Sequence, residues 1–399
     1  MRFRNLRWVG LIFIFALIVG LFILAPTNYA FYYSDAPRHA LNGAFILDLV
    51  KDFPIQQPVQ WAYNYYAQYP ALTILFYPPL YPAVLAVGYA LLGVSQISAV
   101  VVNALFYTAL VAGIYRLASR YMDRFSAFFS AFIVGAAPEI AFWGRQIMTD
   151  VPATAVSVWA VELLLIYAHS RRTLHLLLAA MLAVAAIWLK LTVCFLLPVL
   201  AIGLVLIDGR DVWRSRRNWL VLFGTGLFML PLVWLTLNFG QTNVESVAGV
   251  ADGAAPRLSI ANWLWYAQRL PTQLGWPMSL ALLAGLLFGL ARLIQSRRLP
   301  WTWGVLLAWS LGGYLFFSAI DLKASRFLIP VLPPLILIGV WGVVKLFGAK
   351  RYVARSVLAA IAIGTLLTTL INRPPLYVAG YETIVKDVTQ LAPKHSNVV

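Results

Sequence analysis

ISAVVVNALFYTALVAGIYRLASRYMDRFSAFFSAFIVGAAPEIAFWG, residues 97–144, holds two long apolar runs separated by Arg116, Arg120 and Arg124. Each run is long enough to cross a hydrocarbon layer of roughly 30 Å as a helix. An open strand there would leave backbone N–H and C=O groups without partners, so a helix is the only reading of such a run. The arginines between the runs fit a loop retained on the cytoplasmic side.

The same alternation extends in both directions. Spans are expected at 8–25, 97–119, 125–144, 151–169, 174–190, 192–208, 218–238, 276–293, 301–318, 327–347 and 354–371, about eleven crossings in an all-α polytopic membrane protein. The composition agrees, with 62% hydrophobic and 11% charged residues, outside the range of soluble domains. The net charge of +16 comes from basic residues placed between apolar spans, which reads as a topology signal and not as a nucleic-acid surface. With the N-terminus cytoplasmic, the inside loops collect Arg116, Arg120, Arg124, Arg171, Arg172, Arg210, Arg214, Arg216, Arg217, Arg297, Arg298, Lys350, Arg351 and Arg355. Residues 1–25, with Arg2, Arg4 and Arg7 ahead of the apolar stretch, read as an anchor, since no small-x-small cleavage site follows Pro26. The segment 78–93 is apolar enough to cross, but counting it would put every later arginine cluster outside. It is therefore expected as a juxtamembrane or re-entrant helix beginning at Pro78 and Pro79.

On this topology, 1–371 is a transmembrane domain in the plasma (inner) membrane, with long extracytoplasmic segments at 26–96 and 239–275 and an extracytoplasmic tail at 372–399. Within 37–52, Arg38, His39, Asn42 and Asp52 share one helix side and Ala40, Ala44, Leu47 and Val50 the other, which predicts a surface helix with its apolar side in the membrane. The aromatics of 61–81 and of 259–270 suit the headgroup layer, and rings there can also stack on sugars. In the tail, 381–392 is expected as a short helix, and Asn397-Val398-Val399 as a strand start leading into an outer domain.

Charged groups at membrane depth are costly, so those at the outer helix ends are the candidates for chemistry. Asp35 precedes the surface helix, where it serves either as an N-cap or as a base whose pKa burial would raise. Asp150 opens the fourth span, again as a cap or as a group orienting a polar ligand. Lys190 interrupts an apolar hairpin, and Lys323 and Arg326 share the turn 321–326. Such cations either snorkel to lipid phosphates or clamp a phosphate whose charge grows as it departs. No Walker A loop occurs, which speaks against an ATP-driven pump. The histidines His39, His169, His175 and His395 are scattered, and the single cysteine, Cys194, reads as a packing residue. No cofactor is called for, although Asp35 and His39 are an i, i+4 pair that leaves a divalent metal open.

Four stretches together resemble the GT-C membrane glycosyltransferases, in particular the protein mannosyltransferase and aminoarabinose transferase branch. They are Asp35 after the first span, Phe76-Tyr77-Pro78-Pro79-Leu80-Tyr81 leading to Leu92-Gly93, Asp150-Val151-Pro152, and Lys323 to Pro334. The resemblance implies transfer of a sugar from a polyprenyl-phosphate carrier to a lipid, glycan or protein acceptor outside the cytoplasm, with inversion. It makes Asp35 the base, gives the carrier phosphate to Lys190, Lys323 and Arg326, and lets Asp150 shape the site. Arg38, His39 and Tyr77, close to these groups, complete the expected substrate-binding set. Two positions depart from the family pattern: Ala36 stands where many members have Glu, and Tyr77 where a charged residue or His precedes the double proline. Asp48 or Asp52 is available in place of the second carboxylate. The competing class is a secondary transporter or flippase of an envelope precursor, for which Glu162 is the main charge at membrane depth. A non-catalytic envelope scaffold is a third, and a monomer is the default.

Overall fold

The computed structural model describes residues 2–27, 31–248, 256–296, 301–348, 350–374 and 380–391. The side chains of Arg2, Arg4 and Arg7, the residues Arg297 and Arg298, and the tail from Ala392, with His395 and the expected strand at Asn397, lie outside the described residues.

The chain is helical throughout, with no strand among the described residues. In order, the helices are α1 (Arg2–Ile23), α2 (Asp35–Asp52), α3 (Pro58–Gln68), α4 (Leu80–Leu92), α5 (Gln96–Ala118), α6 (Arg124–Ala136), α7 (Pro138–Gly144), α8 (Asp150–Ser170) and α9 (Thr173–Leu189). A 3₁₀ turn over Leu191–Phe195 leads into α10 (Leu196–Asp208), followed by α11 (Arg216–Phe239), α12 (Gln241–Ala248), α13 (Ile260–Leu274), α14 (Trp276–Ser296) and α15 (Trp301–Ala319). A second 3₁₀ segment, Ser325–Val331, opens α16 (Leu332–Phe347), and α17 (Arg351–Asn372) and α18 (Tyr381–Leu391) complete the series.

Among the described residues, eight helical segments are long and apolar enough to cross a membrane, or up to nine if α6 and α7 count as one bent span. The protein is an integral membrane protein. The expected spans 8–25 and 174–190 are helical, but their apolar portions, Ile12–Ile23 and Thr173–Leu189, are shorter, so the count of eleven is not established. The expected straight span 125–144 breaks by 59°. The break falls at Ala137, whose backbone is extended before Pro138, as the proline ring requires of the residue preceding it. Helix α4 extends only about 20 Å at 1.5 Å per residue, too short to cross straight, and it packs against α2 and α5.

Burial ranks the spans. Ser325–Phe347 and Asp150–Ser170 form the centre, with 83% and 72% of the residues in their apolar stretches buried, whereas Arg216–Phe239 has 11% and turns Leu220, Phe223 and Phe228 outward. Lipid accepts such side chains as readily as a protein core does, so helix association relies on close packing. Helices α14 and α16 show it: a Cβ on Gly285 would overlap the Ile338 carbonyl, and one on Gly342 would overlap Gly285 itself.

Several topology arginines also have structural partners. Glu162 on α8 is fully buried and accepts from Arg120 Nε at 2.8 and 2.9 Å and from Nη2 at 2.7 Å, with Arg116 3.7 Å away. The charge that best supported a transport reading is thus neutralised by a bidentate partner. Asp208 gathers Arg171, Arg217 and the Tyr167 hydroxyl in the same way.

Helix α2 corrects one expectation. Its buried residues include His39, Asn42, Phe45 and Leu47, while Val50 is exposed, so the side carrying His39 and Asn42 faces protein. Asn42 accepts from the Thr73 amide at 3.0 Å and donates to its hydroxyl at 3.3 Å, which offsets the burial of its amide.

Candidate active site

The loop after α1, the start of α2, the approach to α4, the α7–α8 and α9–α10 junctions, α12 and the Ser325–Val331 segment enclose a pocket of about 290 Å³. Tyr33, Asp35, Arg38, His39 and Tyr77 line it together with Thr149, Lys190, Thr192, Arg326 and Phe327.

Asp35 is the first residue of α2, and no side-chain cap bond forms at that helix start. The cap role is therefore not realised: Oδ1 accepts from the Tyr77 hydroxyl at 2.9 Å and Oδ2 from Arg326 Nη2 at 3.1 Å, with Arg38 3.9 Å away. Burial works against the charged form, but the Arg326 guanidinium and the Tyr77 hydrogen bond outweigh it, so the carboxyl lies below its ordinary pKa. The expectation of a raised pKa fails because Arg326, distant in the chain, is adjacent in space.

Asp150 follows the same pattern. It begins α8 without a side-chain cap bond, is fully buried, and pairs through Oδ1 with Lys190, while Oδ2 has no hydrogen-bond partner among the described residues. Lys190 ends α9 in an extended conformation, which breaks the helix and turns its side chain inward.

His39 is fully buried, and burial drives its pKa down to about 4, leaving a neutral ring at physiological pH. Its ring centroid lies 4.5 Å from that of Tyr77 and 5.4 Å from that of Tyr81, and Nδ1 has no hydrogen-bond partner among the described residues. The Tyr77 phenol is raised by burial and then by Asp35, so it remains a donor.

Lys323 is not brought into this group. Its ammonium donates to the carbonyls of Phe317 at 3.1 Å, Ser318 at 2.7 Å and Ile320, closing the C-terminal end of α15. A cation there satisfies carbonyls that the helix leaves open. Sequence reading missed four pocket groups. Tyr33 lies under Arg326 at 4.3 Å, Thr149 lines the wall, Thr192 has a buried hydroxyl without a partner among the described residues, and Asn243 reaches in from α12 and donates to the Phe76 carbonyl at 2.6 Å. Thr149 and Thr192 lie one and two residues from flagged charges; Asn243 carries no local signal.

Both Asp35 oxygens are engaged, and among the described residues no three His, Cys, Asp or Glu side chains come together. Arg38, Lys190 and Arg326 outnumber Asp35 and Asp150, so the pocket favours an anion.

The helical architecture matches solved structures of the GT-C fold. A family model described as dolichyl-phosphate-mannose-protein mannosyltransferase matches residues 77–234, a stretch that begins at Tyr77 and contains Asp150 and Lys190. ArnT from Cupriavidus metallidurans bound to undecaprenyl phosphate superposes with a TM-score of 0.67 at 15% identity, covering 98% of this chain and 81% of that one. The Archaeoglobus fulgidus oligosaccharyltransferase in its apo form gives a TM-score of 0.62 at 13% identity, covering 98% of this chain and 60% of its own. No curated protein sequence matches.

Proposed function

We propose that the protein transfers a sugar from a polyprenyl-phosphate carrier to a lipid, glycan or protein hydroxyl outside the cytoplasm, inverting the anomeric carbon. The observation that carries this reading is Asp35, an ionised carboxylate held between Tyr77 and Arg326 in a pocket that Lys190 and Arg38 make cationic.

The acceptor oxygen attacks the anomeric carbon as the bond to the carrier phosphate breaks, and that bonding pair leaves with the phosphate. The hydroxyl proton passes to Asp35. Arg326 and Lys190 stabilise the charge accumulating on the departing phosphate, where preorganised cations act most strongly. A donor phosphate that draws Arg326 away leaves Asp35 half-buried without its main counter-charge, which makes it a stronger base as the substrate arrives. Asp150 holds Lys190 in place, and neutral His39 and Tyr77 line the sugar side. An apolar groove of about 270 Å³, lined by Leu177, Met181, Val184, Trp188 and Phe228, follows α9 toward Lys190 and suits the carrier's hydrocarbon chain.

The arginine-rich loops support an N-terminus in the cytoplasm and a site on the outer face of the plasma membrane. The test is transfer by the purified protein in lipid, with radiolabelled polyprenyl-phosphate sugars, an envelope extract as acceptor, and Asp35→Asn alongside. Label leaving the carrier only with the unmodified protein supports the reading, and no transfer across a broad donor panel overturns it.

A further inference from the structure

Glu139 is a fully buried carboxylate in the first turn of α7, outside the pocket lining. Its Oε2 accepts from Arg373 Nη2 at 2.8 Å, just past the end of α17. Its Oε1 accepts twice, from the Trp143 indole at 2.9 Å and from the Ser325 hydroxyl at 2.5 Å. Both donors adjoin Arg326. Ser325 precedes it in the chain, and the Trp143 ring lies 5.4 Å from its guanidinium, standing edge-on to Tyr33, which supports the same cation.

Burying a carboxylate is expensive, and replacing a whole buried ion pair by packed apolar groups is often neutral or stabilising. Fold stability alone does not account for it. What Glu139 adds is direction, because one oxygen fixes both the indole plane and the backbone segment that set where Arg326 can point. Arg145 completes the arrangement by donating to the Arg373 carbonyl at 2.9 Å, holding the counter-charge in place.

We infer that Glu139 is a positioning residue: through Trp143 and Ser325 it holds Arg326 against Asp35, with Arg373 as its counter-charge. The segment leaving α17 is thereby tied to the pocket. The effect on sugar transfer rests on the glycosyltransferase reading above; the effect on the Asp35–Arg326 pair does not.

The experiment uses the full chain in lipid and a hydrophobic carbodiimide, which modifies protonated carboxyls, with peptide mass spectrometry reading Asp35 against exposed Asp52. Asp35 beside Arg326 resists modification. Glu139→Ala is expected to raise Asp35 labelling toward the level of Arg326→Ala, about tenfold for each unit by which its pKa rises. Glu139→Gln, which keeps an acceptor for Trp143 and Ser325, raises it less. Trp143→Phe and Ser325→Ala each remove one bond and serve if Glu139→Ala does not fold; together they should reproduce its labelling. Asp35 labelling that stays at the unmodified level in Glu139→Ala, or in the paired variant, while Arg326→Ala raises it, overturns the inference. In the transfer assay, Glu139→Ala should raise the donor KM more than it lowers kcat. A labelling response in a protein that transfers no sugar removes the transferase reading and leaves the positioning role; transfer with flat labelling does the reverse.

Discussion

Arg326 Nη2 lies 3.1 Å from Asp35 Oδ2 although 291 residues separate them in the chain, so the first loop and the segment before α16 meet in one ion pair. The pair is partly shielded, with side chains 12% and 18% exposed, and Tyr77 occupies the other carboxylate oxygen. A carboxylate held this way is ionised throughout the neutral range.

Removing either partner has a directed effect on pH dependence. Arg326→Ala takes away the main group lowering the Asp35 pKa and leaves burial to raise it, so the acid limb of the kcat/KM profile should move to higher pH. Asp35→Asn should reduce transfer by about 10² to 10⁴-fold while expression persists, a typical range for loss of a positioned proton acceptor. A pH–rate series on both variants checks this, and an unmoved acid limb in Arg326→Ala would sink the assignment. The linkage has the usual carboxylate sign: the pair stabilises the fold above the ordinary Asp pKa, and that contribution fades as pH falls through the lower, folded-state value.

Asp150 and Lys190 are a tighter pair and should behave differently. Lys190→Met leaves a fully buried carboxylate without its hydrogen-bonded counter-charge, a loss of about 3–5 kcal/mol where such a pair is broken from one side. Asp150→Asn with Lys190→Met should recover much of that, because neither charge then remains to be desolvated. Thermal unfolding of the two singles and the double in detergent gives the coupling, and additive losses would contradict it.

How far the pocket could be read from sequence turns on particular residues. Asp35, Asp150, Lys190 and Arg326 were legible because charges at the ends of apolar runs are few and the loop arginines order those ends. Lys323 was not separable from Arg326, since both sit in one charged turn and only the path of the 3₁₀ segment decides which reaches Asp35 and which closes α15. The periodicity of α2 identified its two sides but not which is buried. In a membrane protein the polar side of a helix can face protein, as His39 does at the pocket and Asn42 does against Thr73. Glu139 was passed over inside an apparently continuous span, although Pro-Glu after an apolar run is a helix-start signal that marks the 59° break.

His39 should leave a signature in stability more than in rate. Its pKa falls from 6.5 to about 4 on folding, so the unfolded chain binds more protons between those values. Stability is therefore complete above about pH 6.5 and declines as pH falls toward 4. His39→Phe should flatten that dependence. Unfolding midpoints measured across this window test it, and an unchanged slope would mean that another group sets it.

The close approach of α14 and α16 sets a steric limit that the pocket depends on. Gly285 meets the Ile338 carbonyl and Gly342 backbone to backbone, so no rotamer change can make room for a side chain there. Helix α16 continues directly from the Ser325–Val331 segment that carries Arg326, and forcing α14 away would tilt that segment too. Gly285→Val should destabilise the protein by about 1–3 kcal/mol or more, as overpacking does in close-packed interiors. Gly289→Val, one turn further along α14 with open space around it, should be near neutral. Comparing the two by thermal unfolding, and by carbodiimide labelling of Asp35, separates a local clash from a shift relayed to Arg326: higher labelling in Gly285→Val alone shows that the helix contact supports the ion pair.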